Sequence, residues 1–152
     1  MLTDFVDVGP GDVVIQDGAT SGVGKSVIQI ARARGLKTVN IVRDRPDLTS
    51  TRATLTALGA DAVVPESAVK DKALMKQVFA DLGATRPPRL ALNCVSGPLV
   101  GDIARLLGPA GVIVTYGGMS KKPLTVGSGT LEHTLLFKFA GCVAHLIHCC
   151  FL

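Results

Sequence analysis

Apolar residues fall along this chain in short unbroken runs, which alternate with segments spaced like one face of a helix. The runs at 12–16 (DVVIQ), 38–42 (TVNIV), 61–65 (DAVVP), 90–95 (LALNCV) and 111–116 (GVIVTY) predict five buried strands, each set off by Gly, Pro or charged residues. Between the first two, 22–35 carries Val23, Val27, Ile28, Ile30 and Ala31 at helical spacing and closes on Gly35. A second helix opens at Pro46-Asp47-Leu48, carries Leu55 and Leu58 and stops at Gly59; a third is expected over 68–82 and a fourth over 99–107. This βαβαβαβαβ order, with short loops and strands apolar on both faces, predicts a parallel sheet covered on both sides. Right-handed crossovers then make it a doubly wound α/β fold in three αβα layers.

Length agrees with a single domain: 152 residues supply one core, and a domain of this size buries roughly 68–70% of the surface of its unfolded chain. With 47% hydrophobic and 18% charged residues the composition is globular and argues against disorder. The net charge of +4 does not point to nucleic acid, because the sixteen Lys and Arg are scattered and lack interleaved aromatics. An anionic small ligand accounts for local positive charge more economically. Four cysteines, two of them adjacent, form no spaced disulfide framework and fit a reducing compartment. The first dozen residues carry no presequence pattern and are expected to be the interior of a longer chain.

The end of the chain has a different character. Residues 135–152 are apolar apart from Lys138 and two histidines, and the fourteen residues at 139–152 are short of the about 20 that a membrane span needs. The expectation is a core or edge strand followed by a divergent apolar tail, with no membrane partner. The tail's Cys142, His145, His148, Cys149 and Cys150 are possible soft-metal ligands, but they crowd into nine residues, whereas structural sites bring separated pairs together; no metal is expected.

The candidate chemistry lies at Gly18-Ala19-Thr20-Ser21-Gly22-Val23-Gly24-Lys25-Ser26. From Ala19 it is one Ala-for-Gly change from a nucleotide-hydrolase P-loop; from Gly18 it reads as the turn of a Rossmann-like dinucleotide-binding βαβ unit. Both use backbone N–H groups at a helix N-terminus to hold phosphate. A hydrolase also needs an acidic residue for Mg²⁺ at the end of another strand, and only Asp44 could serve, flanked by Arg43 and Arg45. A dinucleotide site expects a ribose-reading residue about 20 positions on, and Arg43 lies nineteen beyond Gly24. Arginines there suit the 2′-phosphate of NADPH. Asp44 is expected to orient them or to cap Arg45-Pro46-Asp47. Lys25 is read as an ordinary helix residue, Ser26 as one that tolerates the sheet side, and Lys121-Lys122 as solvated.

The stretches SGVG with VIQIA, then IVRDRPDL, LALNCV and VTYGGMS together resemble the cofactor domain of the mitochondrial trans-2-enoyl-thioester reductases, in the zinc-free part of the medium-chain dehydrogenase/reductase superfamily. The resemblance covers residues 1–138, taken as an NADPH-binding domain, and leaves 139–152 as the divergent tail. It implies NADPH-dependent reduction of the 2,3 double bond of an enoyl-CoA or enoyl-acyl-carrier thioester in mitochondrial fatty-acid synthesis, with homodimer formation possible. It places Thr20, Ser21, Gly22, Val23 and Gly24 at the pyrophosphate, Arg43, Asp44 and Arg45 at the adenosine phosphate, and Tyr116, Gly117, Gly118 and Met119 near the nicotinamide. No catalytic residue is assigned, because the family's catalytic tyrosine belongs to a substrate domain that this stretch does not match. The chain alone is therefore expected to bind NADPH with little turnover, as a truncated product would; the alternatives are a non-catalytic fragment that pairs with a full-length subunit and the P-loop hydrolase. Ser96 stands where the family shows a second Gly in an NCVGG turn, which is expected to alter that loop.

Overall fold

The computed structural model describes residue 2, residues 4–123 and the backbone of residues 136–139. The tail from 140 onward, with its Cys/His cluster, lies outside the described residues, as does His133. In chain order the elements are β1 (Val13–Gln16), α1 (Gly22–Ala33), β2 (Lys37–Val42), α2 (Thr49–Ala57), β3 (Ala62–Pro65), α3 (Lys72–Asp81), β4 (Leu90–Asn93), α4 (Leu99–Ala104), β5 (Val112–Thr115) and β6 (Leu136–Phe139). All neighbouring strands are parallel, in the order β3-β2-β1-β4-β5-β6. The sheet is thus built outward in both directions from β1. Its strand order reverses between β1 and β4, the crevice where doubly wound folds bind ligands beyond the carboxyl ends of their strands.

Side-chain alternation along the strands separates two cores. Val13 and Ile15 of β1, Val39 and Ile41 of β2, Ala91 of β4 and Ile113 of β5 face Met75 of α3 and Ile103 of α4. Val14, Leu90, Leu92, Val112 and Val114 face the other way, against Val27 and Ala31 of α1 and against Leu2, with Phe5, Val6 and Val8 packed on the same cluster. A third cluster joins Ile28 of α1 to Leu55 of α2. The expected parallel sheet with two covered faces is therefore present.

Several elements are shorter than the sequence pattern, among them α2, which begins at Thr49 rather than at 46–48, and β4, which ends at Asn93 rather than 95; two boundaries have an evident cause. The helix expected over 68–82 is a 3-10 turn at Glu66–Lys70 followed by α3. Asp71 interrupts it: its backbone is extended, and its carboxylate accepts hydrogen bonds from the N–H groups of Ala73 and Leu74, capping the new helix. α4 ends at Ala104 rather than 107, because the N–H groups of Leu106 and Leu107 turn back to the carbonyls three residues earlier, Ile103 and Ala104.

Candidate functional site

Three loops meet at the carboxyl ends of β1, β4 and β5. The first leaves β1 through Asp17 and Gly18, the latter with φ +61°, and enters α1. Ser21 is the N-cap of α1: its Oγ accepts from the Gly24 N–H at 3.0 Å. The N–H groups of Gly22 and Val23, in the first turn, have no intrahelical acceptor and are available to an anion. Gly22 is exposed, and a Cβ placed there would meet nothing within 4 Å, so the approach is open. Gly24 serves a different purpose: a Cβ on it would lie 2.7 Å from Ala19 Cα and from the Gly18 carbonyl oxygen, so only glycine lets the helix start this close to the turn.

The second loop is bonded to the first, and the third to the second. Asp17, which is fully buried, accepts from Cys94 N–H at 2.6 Å and Val95 N–H at 3.0 Å through one carboxylate oxygen, and from the Asn93 side-chain amide through the other. The carbonyls of Cys94 and Val95 in turn accept from the Met119 and Ser120 N–H groups at 3.0 and 2.8 Å. Ser96 Oγ donates to the Gly117 carbonyl at 3.0 Å. Gly117 packs on Cys94, where a Cβ would approach the sulfur to 2.9 Å. Loss of solvation pushes the Asp17 carboxyl up to about 6, against the opposing effect of its three donors.

Ser96, expected to alter this loop, has a distinct place in it. It adopts the left-handed conformation itself, φ +65°, followed by Gly97 at +79°. The turn therefore has a serine in a conformation that favours glycine, and its hydroxyl holds the third loop.

A cleft of about 190 Å³ opens between these loops and the end of β2. Of the residues singled out from the sequence, it brings together Thr20, Arg43, Arg45 and Met119, lined also by Gly18 and Val95, whereas Ser21, Gly22, Val23, Gly24, Asp44, Tyr116, Gly117 and Gly118 are not among its lining residues. Thr51 from the start of α2 and Glu66 from the turn after β3 also line it. Arg43 and Arg45 are exposed at the end of β2. Asp44 is directed elsewhere: its carboxylate accepts from Ser67 Oγ at 2.6 Å and Ser67 N–H at 3.2 Å, so it pins the β3 turn rather than orienting the arginines or capping Arg45-Pro46-Asp47. That turn is capped instead by Asp47, which accepts from the Thr49 N–H at 2.7 Å.

Tyr116, Gly117 and Gly118 follow β5. The Tyr116 hydroxyl is buried against the Cys94 thiol and near Ser21 without a hydrogen bond of good geometry, and burial holds both the phenol and the thiol above their ordinary ranges. It faces the underside of the glycine-rich loop. Gly118 and Met119 are exposed.

Two features of the P-loop pattern are used otherwise. Ser26, expected to face the sheet, is exposed and its hydroxyl donates to the Gly22 carbonyl at 3.0 Å within the helix. Lys25 lines an adjoining pocket of about 150 Å³ with Ser50, Thr51 and Thr54 of α2, and Thr20 and Thr51 border both this pocket and the cleft. Among the described residues, no group of three or more His, Cys, Asp or Glu is placed to hold a metal ion, and no helix is long and apolar enough to cross a membrane.

Sequence reasoning missed Asp17, Val95, Thr51 and Glu66. Asp17 and Asn93 did carry a signal, since each is a polar residue at the carboxyl end of an otherwise apolar parallel strand. Thr51 and Glu66 follow breaks whose geometry depends on tertiary packing.

A family model described as zinc-binding dehydrogenase matches residues 22–142. Mitochondrial enoyl-[acyl-carrier-protein] reductases are similar: that of Rattus norvegicus is 49% identical over 131 residues, 86% of this chain and 34% of its own length, and that of Arabidopsis thaliana 48% over 128 residues, 84% and 33%. The chain thus spans about a third of the length of these relatives. Among solved structures, the mitochondrial 2-enoyl thioester reductase Etr1p/Etr2p heterodimer from Candida tropicalis superposes with a TM-score of 0.83 at 35% identity, over 92% of this chain and 39% of that one. A complex of Etr1p with NADP and crotonyl-CoA gives 0.85 at 34%, over 93% and 40%. Taken with the parallel sheet and its three joined loops, these matches show that the chain belongs to the zinc-binding dehydrogenase family and corresponds to the doubly wound part of its mitochondrial enoyl-thioester reductases.

Proposed function

We propose that this chain is the NADPH-binding domain of an oxidoreductase that reduces the 2,3 double bond of enoyl thioesters in mitochondrial fatty-acid synthesis. The observation that carries the reading is the cleft at the carboxyl ends of the strands, which Gly18 and Thr20 of the glycine-rich loop line together with Arg43 and Arg45; the uncapped N–H groups of α1 follow Thr20 in the chain. The residues present fit the cofactor. In this reading the N–H groups of Gly22 and Val23, with Thr20 and Ser21, receive the pyrophosphate, and Gly24 lets the helix approach. Arg43 and Arg45 receive the 2′-phosphate, each charge-assisted bond contributing about 1.5–3 kcal/mol. Asp44 contributes through the turn that it pins. Gly117, Gly118 and Met119 flank the nicotinamide end, with Tyr116 supporting them from beneath.

NADPH supplies the hydride. What this chain contributes is binding, orientation and the exclusion of water along the cleft. The Tyr116 hydroxyl is buried and is not assigned the role of proton donor. Turnover then depends on residues that hold the thioester at near-attack distance. The Etr1p/Etr2p heterodimer from Candida tropicalis and the Etr1p complex with NADP and crotonyl-CoA support a dimer and a thioester substrate for the whole enzyme. The mitochondrial names of the relatives support a mitochondrial location.

Calorimetric titration with NADPH, NADH and MgATP in parallel tests the reading. NADPH is expected to bind at least about tenfold more tightly than NADH, and MgATP more weakly than either. Tighter MgATP binding, or no NADPH binding, overturns it.

A further inference from the structure

Asp17 stands first after β1 and is sealed from solvent, yet neither the glycine-rich motif nor the arginine pair called for it. The groups bonded to it are neutral: the Asn93 amide and the N–H groups of Cys94 and Val95. The titratable groups that face it are Glu66 from the turn after β3, Cys94 from the loop after β4 and Tyr116 from the loop after β5, and none of them is a cation. An uncompensated buried carboxylate is costly. Its bonds link the loops around the cleft. On one side, Gly18 and Thr20 of the cleft follow it directly in the chain. On the other, it holds Cys94 and Val95, whose carbonyls hold Met119 and Ser120.

We propose that Asp17 is a positioning residue of the dinucleotide site, fixing the spacing between the glycine-rich loop and the loops after β4 and β5. This rests on the cofactor reading above. Both backbone bonds converge on one oxygen, Oδ1. An amide at position 17 can therefore keep both with its carbonyl, and Asn93 can meet the new NH₂ by turning its own amide over. Alanine loses all three bonds. The spacing does not need the charge, and an ionised carboxylate beneath a loop that receives a pyrophosphate repels it. A protonated Asp17 behaves as the amide does, so geometry and charge are separable by substitution and by pH.

The test is calorimetric titration of NADPH into the full 152-residue chain, D17A and D17N, each at about pH 8 and about pH 5.5. At the higher pH, D17A is expected to bind at least about tenfold more weakly than the native chain, and D17N at least as tightly as it. On acidification the native chain gains affinity relative to D17N; both share the titration of the cofactor's own 2′-phosphate, so the difference belongs to Asp17. A purely structural role would lower the melting temperature of D17A while leaving its affinity, measured well below melting, unchanged. Native-like binding by D17A, or failure of D17N to restore it, overturns the proposal. If D17A does not fold, the D17N comparison decides, and parallel pH profiles overturn it. A native chain that binds no NADPH at either pH overturns the cofactor reading and this inference together, whereas native binding with indifferent variants overturns the inference alone.

Discussion

At the scale of single residues, the site is held by polar groups placed where an apolar strand ends. Asp17 has a folded-state carboxyl pushed up to about 6 from an ordinary 3.8, so between these values the folded chain keeps a proton that the unfolded chain has released. Its contribution to stability is full below about pH 4 and is lost as pH rises through about 6, a change of roughly 3 kcal/mol. D17N lacks this titration. Urea unfolding of native and D17N chains at several pH values is therefore expected to move in favour of D17N on going from about pH 4 to about pH 7, and parallel curves would contradict the burial argument. Ser96 gives a second comparison. S96A keeps the left-handed backbone and loses the bond to the Gly117 carbonyl, so it is expected to destabilise by about 0.5–1.5 kcal/mol. S96G also loses the bond but relieves a strain of about 1–2 kcal/mol, so its unfolding midpoint should lie above that of S96A. The sequence marked Ser96 as a departure; the direction of its effect needed the backbone angle.

At the scale of elements, most of the architecture was legible because parallel strands buried on both faces leave continuous apolar runs, and all five of those runs are strands. The run at Gly22 and beyond formed α1 because Ser21 caps it and its apolar spacing meets two core clusters. What was not legible was set by capping and by long-range bonds. The break at Asp71 competes with an apolar periodicity that continues through it, and the diversion of Asp44 to Ser67 depends on β2 lying beside β3. Gly24 tests the element-level argument most sharply. G24A places a methyl group against backbone atoms of Gly18 and Ala19 that cannot move aside as a side chain could. It is expected to cost about 1–3 kcal/mol or more in denaturant unfolding and to displace α1 from the loop. A G24A chain as stable as the native one would show that the turn is looser than described.

At the scale of the whole molecule, a doubly wound sheet puts its ligand crevice where the strand order reverses, and here that crevice is lined by the start of the glycine-rich loop, Gly18 and Thr20, and by two exposed arginines. The fold and the general location of the site followed from the order of elements. The sharper claim, that the phosphorylated cofactor is selected, rests on Arg43 and Arg45 alone. The measurement that tests it most directly is titration of the R43A/R45A double variant with NADPH and with NADH. Both arginines are exposed, so the variant should fold as the native chain does. NADPH affinity is expected to fall by at least about tenfold while NADH affinity stays nearly unchanged, removing the preference between the two. Equal losses for both cofactors, or no loss for either, would contradict a 2′-phosphate site at the end of β2.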